Sequence, residues 1–255
     1  MNKYNNQENN KSDQCKPIIF VAGATGAVGF KLCLILKQNN YQVYGTTRSM
    51  DKAPFLEAIG VHPVIVDVFN KNQLIHEIQI ISPDIIIHQL TDLPYALNPK
   101  DMQEARSRNA KIREIGTAHL LEAARSISCK KFIAQSIAFA HEPLAPKIDE
   151  ESPLAINSDN EILKNNALSI ANMESQIRDS QLKHVILRYG KLYGPATGCV
   201  KAQSGSIHVD VAAHATLLAI EKGFGTYLLV EEDQSYSYLK AKNELNLDTL
   251  YRWKS

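Results

Sequence analysis

Residues 17–38 read PIIFVAGATGAVGFKLCLILKQ, and this stretch decides the fold of the chain. It begins with a short apolar run, passes three glycines at Gly23, Gly26 and Gly29, and continues with apolar residues that recur at the spacing of a helix. A short run rich in Ile and Val that is apolar on both faces is typical of a strand buried in a parallel sheet. The stretch therefore predicts a strand, a glycine-rich turn and a helix.

The same alternation of apolar runs and helix-period stretches continues along the rest of the chain. The predicted strands are Pro17–Ala22, Tyr41–Thr46, His62–Val66, Asp84–His88, Lys131–Gln135, His184–Arg188 and Thr226–Glu231. The predicted helices are Ala27–Gln38, Lys52–Ile59, Lys71–Ile80, Asp101–Ser126, Glu161–Asp179 and Val211–Lys222. Strands that alternate with helices in this way predict an α/β fold with a doubly wound, Rossmann-like parallel sheet.

Composition restricts the classes of protein that fit. With 255 residues, 44% hydrophobic and 22% charged, the chain is close to the globular average. The 28 basic and 27 acidic residues leave a net charge of +1, so overall charge indicates neither a nucleic-acid nor a membrane partner. We find no apolar run of about 18 residues, and we expect no signal peptide. The four cysteines have neither disulfide nor metal-ligand spacing, so we expect reduced thiols, no metal site and a cytoplasmic protein.

Three regions are predicted along the chain. Residues 1–16 are rich in Asn, Gln and Lys and almost lack aliphatic side chains, so we expect a disordered tail. Residues 17–190 carry the main α/β pattern and form the predicted nucleotide-binding domain. Residues 191–255 form a reduced C-terminal substrate lobe that is interleaved with this domain.

The glycine-rich turn has the chemistry of a phosphate site. A first glycine permits a sharp turn, a second lets the main chain approach a pyrophosphate, and a third lets the helix pack against the strand. The phosphates then bind free amide groups at the start of the helix. The predicted cofactor-binding residues of this loop are Gly23, Ala24, Thr25, Gly26, Ala27, Val28 and Gly29.

Several further motifs follow in the chain. They are Asp67 after the third predicted strand, His88-Gln-Leu-Thr91 after the fourth, Asn109 through Gly116-Thr117 to Ala124, Leu187-Arg-Tyr through Tyr193-Gly-Pro195, and His208-Val-Asp210. Together with the G-x-x-G-x-x-G loop, they resemble the extended and atypical short-chain dehydrogenase/reductases, in particular the NAD(P)-dependent epimerase/dehydratase group. The resemblance implies a nicotinamide cofactor. Beyond the glycine loop, the residues that it implies as cofactor contacts are Asp67, Val68, Gln89, Leu90, Thr91, Asn109 and Gln135.

The end of the second predicted strand bears on which cofactor is used. Proteins that bind NAD usually place an acid there to accept the ribose hydroxyls. This chain has no acid between Tyr41 and Met50 and instead carries Arg48. An arginine can donate two hydrogen bonds to a 2′-phosphate. We therefore expect NADP(H) as the preferred cofactor and NAD(H) as the alternative, unless Arg48 is merely a solvated surface residue.

The resemblance also implies a catalytic Ser/Thr, Tyr and Lys, in which the tyrosine is the acid/base and the lysine lowers its pKa. The tyrosine and lysine occur as Y-x-x-x-K, one helical turn apart. Glu174 resembles the acid that follows this motif, and counting back from it puts Asn166 at the tyrosine position and Ile170 at the lysine position. The usual proton-transfer pair is therefore expected to be absent.

Two hydroxyl groups remain as candidate catalytic residues. Ser136, at the end of the fifth predicted strand, resembles a residue that lines the nicotinamide pocket. Tyr193 lies in the Tyr-Gly-Pro segment, which passes near the nicotinamide in relatives. Other polar residues on the same predicted edge, for which packing roles are the alternative, are His88, Tyr95 and His141. His208 and Asp210 resemble structural residues that open a helix.

Two functions fit these features. One is an epimerase/dehydratase-like oxidoreductase with a non-standard acid/base, and the other is a non-catalytic NADP(H)-binding redox sensor or scaffold; a degenerate domain without a ligand is a third reading. Relatives insert a longer segment between Pro195 and His208 to cover a sugar nucleotide, so we expect a smaller small-molecule substrate or none. The resemblance implies a homodimer through the helices predicted at Asp101–Ser126 and Glu161–Asp179.

Overall fold

A parallel sheet between two layers of helices forms the body of the protein. The computed structural model describes residues 16–94, 98–142 and 147–254, so Tyr95 and nearly all of the predicted tail lie outside the described residues. The strands are β1 (Ile18–Ala22), β2 (Gln42–Thr47), β3 (His62–Ile65), β4 (Ile85–His88), β5 (Lys131–Ile137), β6 (His184–Tyr189), β7 (Lys191–Tyr193), β8 (Ser206–His208) and β9 (Gly225–Leu229). The α-helices are α1 (Ala27–Gln38), α2 (Ala53–Ala58), α3 (Lys71–Ile81), α4 (Met102–Lys111), α5 (Thr117–Arg125), α6 (Glu161–Asp179) and α7 (Val209–Glu221).

The sheet confirms the predicted doubly wound topology. Its seven strands lie in the order β3-β2-β1-β4-β5-β6-β9, and each neighbouring pair is parallel. In the centre, Phe20 of β1 lies opposite Tyr44 of β2 on one side and Ile86 of β4 on the other. The chain order reverses between β1 and β4, and ligands of open α/β sheets bind at such a switch point, outside the carboxyl ends of the strands.

Alternation along β1 divides the core into two layers. Ile19 and Val21 point to one face, where they pack in a cluster with residues of α1 and α7. Phe20 and Ala22 point to the other face and pack with residues of α3, α5 and α6. Since successive side chains of a strand point to opposite faces, the uninterrupted apolar run in the sequence supplies both layers.

The helix predicted over Asp101–Ser126 is the largest departure from the sequence-based expectation. It consists of α4, a π-helical turn at Ile112–Gly116, and α5. Periodicity does not reveal such a turn, because it shifts the helix register by a single residue. At its end, Gly116 lies against Val68, and a Cβ there would meet the Val68 side chain at 3.3 Å.

Smaller departures have local causes. β9 ends at Leu229 rather than Glu231, because the Glu231 amide donates a hydrogen bond to the Ser206 carbonyl of β8. The last helix begins at Val209 rather than Val211, because the His208 imidazole accepts a hydrogen bond from the Asp210 amide and caps it. No described helix is both long and apolar enough to cross a membrane.

The C-terminal segment packs back onto the first βα unit. The Trp253 indole donates a hydrogen bond to Gln38 at the end of α1, and the Lys31 ammonium lies 4.3 Å from the centre of the Trp253 ring. Lys31 is also paired with Asp210 of α7 at 3.3 Å. The region after residue 190 therefore contributes contacts to the helix that follows the glycine loop, in addition to strand β9 of the main sheet.

A buried ion pair joins α6 to the sheet. The Glu174 carboxylate, which is fully buried, accepts hydrogen bonds from Arg188 of β6 at 2.9 and 2.7 Å. The Ser136 hydroxyl of β5 donates a third bond at 2.8 Å, and Arg178 lies at 3.3 Å. Burial by itself would raise the pKa of Glu174, but the bonds and charge of Arg188, with Ser136 and Arg178, hold it below its usual value.

Glu174→Gln is expected to destabilise the protein and to change its pH dependence. Removing one partner of a buried ion pair leaves the other uncompensated and costs about 3–5 kcal/mol. Because the pKa of Glu174 is lower in the folded state, its contribution is complete above the unfolded value of about 4.3 and is lost as the pH falls through the folded value. Urea unfolding between about pH 3 and 7 measures both effects. Glu161→Gln, an exposed change on the same helix, is the control, and equal acid sensitivity in all three proteins would contradict the prediction.

Gly29→Ala is expected to lower stability through a steric clash beside the glycine loop. A Cβ at Gly29 would lie 2.1 Å from the Gly23 carbonyl oxygen, which is backbone and cannot move aside cheaply. Overpacking of this kind costs at least about 2 kcal/mol, or roughly 4–8 °C in Tm for a chain of this size. Gly26→Ala is the matched control, because its Cβ would meet only the Gly23 oxygen, at 3.5 Å. Equal Tm values for the two variants would refute this explanation.

Candidate functional site

The glycine loop leaves the start of α1 open to a ligand. Gly23 has a φ of +91°, and its amide donates to the Thr46 hydroxyl of β2 at 2.9 Å. Gly26 is the N-cap of α1, and neither a capping side chain nor an acid in the first turn occupies the free amides there. The first amides of a helix have no partner within it and attract anions. Ala24 and Thr25 lie in the turn before α1, and Ala27 and Val28 are its first two residues, so this structure fits a cofactor pyrophosphate.

A cleft of about 410 Å³ lies beyond the ends of β2 and β4. The side chains that line it are Arg48, Phe69, Asp92, Arg108, Lys111, Ile112 and Ile115. Asp92 accepts from Arg48 at 3.3 Å and lies 3.4 Å from Arg108, so its single carboxylate is shared by two guanidinium groups. The cleft, called the adenosine cleft below, thus combines three cationic side chains with the apolar side chains of Phe69, Ile112 and Ile115.

Asp67 and Val68, two of the predicted cofactor contacts, follow the end of β3. The exposed Asp67 carboxylate accepts a bond from the Phe69 amide at 2.9 Å and so shapes the turn that carries Phe69 to the cleft. Val68 is buried, and its carbonyl lies 2.8 Å from the His119 ring of α5. The Asp67 carboxylate is therefore accessible to a ligand, whereas the Val68 side chain lies in the protein interior.

The segment after β4 lies directly against the glycine loop. A Cβ at Gly23 would meet the Gln89 carbonyl at 2.7 Å and the Leu90 amide at 2.9 Å. The Gln89 side chain is turned inward, where it donates to the Tyr189 hydroxyl at 2.9 Å. Thr91 is exposed. The structure thus brings the backbone of this segment to the predicted cofactor site and buries the Gln89 side chain beneath it.

Asn109 holds the next part of the same loop. Its side-chain amide donates to the Asp92 carbonyl at 2.9 Å and to the Ala105 carbonyl at 2.8 Å, and its oxygen accepts from the Asp92 amide at 3.1 Å. The side chain is 5% exposed, so its polar atoms are used within the protein. Asn109 thereby fixes the backbone of Asp92, whose carboxylate is paired with Arg48 and Arg108.

His88 is a neutral, buried residue at the end of β4. Its Nδ1 accepts from the Leu90 amide at 3.2 Å, so Nε2 carries the proton and donates to the Thr117 hydroxyl at 3.1 Å. Burial, assisted by the charge of Arg113, lowers the pKa of His88 to about 4. His141 is buried too; its Nδ1 lies 3.0 Å from the Pro153 carbonyl, and its Nε2 has no hydrogen-bond partner among the described residues.

Asn166, which the sequence analysis predicts at the position of the family tyrosine, faces a cation that the sequence analysis missed. The Asn166 side-chain oxygen accepts from Nη1 of Arg113 at 2.7 Å, and the same nitrogen donates to Ser169 at 2.9 Å. Ile170, at the lysine position, is fully buried in the core. Sequence reasoning considered candidates on α6 and at strand ends, whereas Arg113 lies in the π-helical turn, which periodicity does not detect.

The two candidate catalytic hydroxyls both donate to carboxylates. Ser136 is 3% exposed and bonded to Glu174, and the neighbouring Gln135 is half-buried. The Tyr193 hydroxyl donates to both oxygens of Glu231, at 2.7 and 2.9 Å, and accepts from Arg252 at 3.1 Å. Burial and the Glu231 carboxylate raise the pKa of Tyr193. The described residues contain no group of three His, Cys, Asp or Glu side chains suited to a metal ion.

Comparison with known proteins gives the family of this chain. The model of the NAD dependent epimerase/dehydratase family matches residues 19–225. A curated relative, 3-diazoavenalumate denitrifying reductase from Streptomyces sp., is 31% identical over 237 residues, which is 85% of this chain and 76% of the relative.

Solved structures show the same fold. UDP-glucose 4-epimerase from Thermotoga maritima, with UDP-glucose, superposes with a TM-score of 0.69 and 18% identity, covering 92% of this chain and 94% of the other. UDP-glucuronic acid 4-epimerase from Bacillus cereus, in complex with UDP-glucuronic acid and NAD, gives a TM-score of 0.72 with 16% identity and coverage of 92% and 95%. The protein therefore belongs to the NAD-dependent epimerase/dehydratase family.

Proposed function

We propose that this protein is an NADPH-dependent reductase that replaces the diazo group of a small aromatic substrate with hydrogen. The proposal is supported by an open phosphate-binding loop together with Asn166 and Ile170, the residues predicted at the positions of the acid/base pair. An amide and a buried aliphatic side chain cannot exchange protons at neutral pH. A reduction that needs no proton donor fits such a site.

The chemistry of an aryl diazonium group meets that requirement. Bound NADPH would supply the hydride. A C–H bond forms at the ring carbon, the C–N bond breaks, and dinitrogen leaves with the bonding electrons of that bond. The balance is ArN₂⁺ + NADPH → ArH + N₂ + NADP⁺, with no proton on either side. The 31% identical relative is named as a denitrifying reductase of a diazo compound, which supports this substrate class for the present chain.

The chain's own residues would bind and orient the reactants. The free amides at the start of α1 would hold the pyrophosphate, and Asp67 would reach the adenine. Gln135 lies next to Ser136 at the carboxyl end of β5, where it would border the nicotinamide pocket. Ser136 would orient that edge through its bond to Glu174. Tyr193, held by Glu231, would form part of the wall rather than donate a proton.

The cations of the adenosine cleft support NADP(H) over NAD(H). Arg48, Arg108 and Lys111 line the cleft, and the two arginines share a single carboxylate, that of Asp92. Arg108 is also paired with Glu104 at 3.6 Å, so a bound 2′-phosphate would add negative charge chiefly beside Arg48 and Lys111. NAD(H) offers only a hydroxyl at that place.

A non-catalytic NADP(H) sensor is the second candidate function. It is favoured by the use of both candidate hydroxyls, Ser136 and Tyr193, in bonds to carboxylates within the fold. A sensor would bind NADPH and leave it unchanged, whereas a reductase would consume it. Turnover therefore separates the two functions.

Arg48→Ala is expected to weaken NADP⁺ binding about tenfold and to leave NAD⁺ binding nearly unchanged. Arg48 is half-exposed, so the loss should lie at the lower end of the range for charged hydrogen bonds. Isothermal titration of both cofactors measures the two dissociation constants. Arg125→Ala, an exposed arginine at the end of α5, is the control. Equal losses for NADP⁺ and NAD⁺ in Arg48→Ala would contradict the proposed role.

Turnover is tested with benzenediazonium and NADPH deuterated separately on each face of C4. We expect enzyme-dependent formation of monodeuterated benzene, with release of dinitrogen, from only one of the two deuterated cofactors, because a bound nicotinamide presents one face to its substrate. Mass spectrometry of the product measures the transfer, and heat-denatured protein gives the uncatalysed background. Tight NADPH binding without enzyme-dependent product would support the sensor instead.

A further inference from the structure

Arg113 brings a positive charge to the edge of the sheet where the substrate is expected. It lies one turn before Thr117, whose hydroxyl bonds to His88 at the carboxyl end of β4. Its partner Asn166 lies on α6, eight residues before Glu174, which reaches Ser136 near the carboxyl end of β5. Eight residues span about 12 Å of helix. Since α6 runs antiparallel to the strands, Arg113 and Asn166 both lie beyond the carboxyl edge of the sheet.

The guanidinium of Arg113 has no carboxylate partner among the described residues. Its hydrogen bonds there run from Nη1 to the neutral oxygens of Asn166 and Ser169. The internal segments outside the described residues, 95–97 and 143–146, contain no acidic residue. Arg188, a buried arginine near this edge, is bonded twice to Glu174. Arg113 is half-buried, and removing a charge partly from water without an ionic partner carries a cost that an anionic ligand would offset.

The unused donors of Arg113 lie on one side of the guanidinium. Nη1 is held by Asn166 and Ser169, whereas Nε and Nη2 make no hydrogen bond with the described residues and are not sealed from solvent. Two parallel donors of this kind match the two oxygens of a carboxylate. Burial lowers the pKa of Arg113 only to about 10, so the group remains charged at neutral pH beside the neutral His88.

We propose that Arg113 binds a carboxylate group of the substrate, with Asn166 as the positioning residue that fixes the guanidinium. This inference rests on the proposed function for the location of the substrate, and it narrows the substrate class to aromatic acids. It also gives Asn166 a role, because the Asn166 amide oxygen accepts the hydrogen bond from Nη1 of Arg113. A tyrosine at this position has no amide oxygen to do so. The carboxylate would supply the anionic partner that the half-buried Arg113 lacks among the described residues.

Binding of a stable acid and of its neutral amide tests the proposal without turnover. Isothermal titration compares 4-hydroxycinnamate with 4-hydroxycinnamamide on protein saturated with NADP⁺. We expect the wild-type protein to bind the acid roughly 10–100-fold more tightly, as a charge-assisted pair contributes. Arg113→Gln should bind the two compounds equally, and Arg113→Lys should retain part of the preference. Arg106→Gln, an exposed change on α4, should behave as wild type.

Several results would overturn the inference. They are equal binding of acid and amide by the wild-type protein, binding of neither, an undiminished preference in Arg113→Gln, or an equal loss in Arg106→Gln. The Tm value and the NADP⁺ affinity of each variant show whether that variant is folded. If Arg113→Gln fails to fold, the preference of Arg113→Lys for the acid over the amide is the deciding measurement. The benzenediazonium assay is independent because that substrate has no carboxylate. Turnover of benzenediazonium without a preference for the acid leaves the proposed function intact and rejects the role of Arg113. A preference for the acid without turnover of benzenediazonium rejects the proposed reaction and leaves the role of Arg113 intact.

Discussion

The contact between Gly29 and the Gly23 carbonyl is the constraint on which the rest of the structure depends. No side chain fits between them, so α1 lies directly against the turn that leaves β1. Gly23 is in turn pressed against the backbone of Gln89, which fixes the segment after β4 at the same edge. The helix start, the β4 loop and the switch point of the sheet are therefore set by one close packing of backbones. The amides at the start of α1, which no capping side chain occupies, are left open at this edge by the same packing.

Elements with local causes could be predicted from the sequence. Helices Ala27–Gln38 and Glu161–Asp179 have the predicted bounds, because a glycine turn starts the first and Asn160 caps the second through local hydrogen bonds. The π-helical turn at Ile112–Gly116 was missed, since one additional residue in a helix leaves no clear periodic signal. The end of β9 was misplaced because it depends on a hydrogen bond to Ser206, a partner distant in sequence.

The same division applies to the candidate site. Spacing from Glu174 predicts Asn166 and Ile170 at the tyrosine and lysine positions, because an i, i+4 relation on one helix is local information. Partners could not be identified in this way: Ser136 bonds to a residue 38 positions away and Asn166 to one 53 positions away. Such contacts depend on how helices are placed on the sheet, and a single sequence does not encode that placement in any short pattern. Arg113 is visible only once α6 and the π-helical turn are brought together.

The charges at this edge link binding to the proposed chemistry. Glu174 is neutralised by Arg188 and Glu231 is bonded to Tyr193 and close to Arg252, so neither carboxylate offsets Arg113. Hydride loss leaves a positive charge on a nicotinamide ring, and an unpaired guanidinium nearby would oppose it. A substrate carboxylate on Arg113 would remove that opposition when the substrate binds. Substrates without the carboxylate, benzenediazonium among them, would then react more slowly but by the same hydride transfer, because the unpaired charge raises the barrier without removing a reacting group.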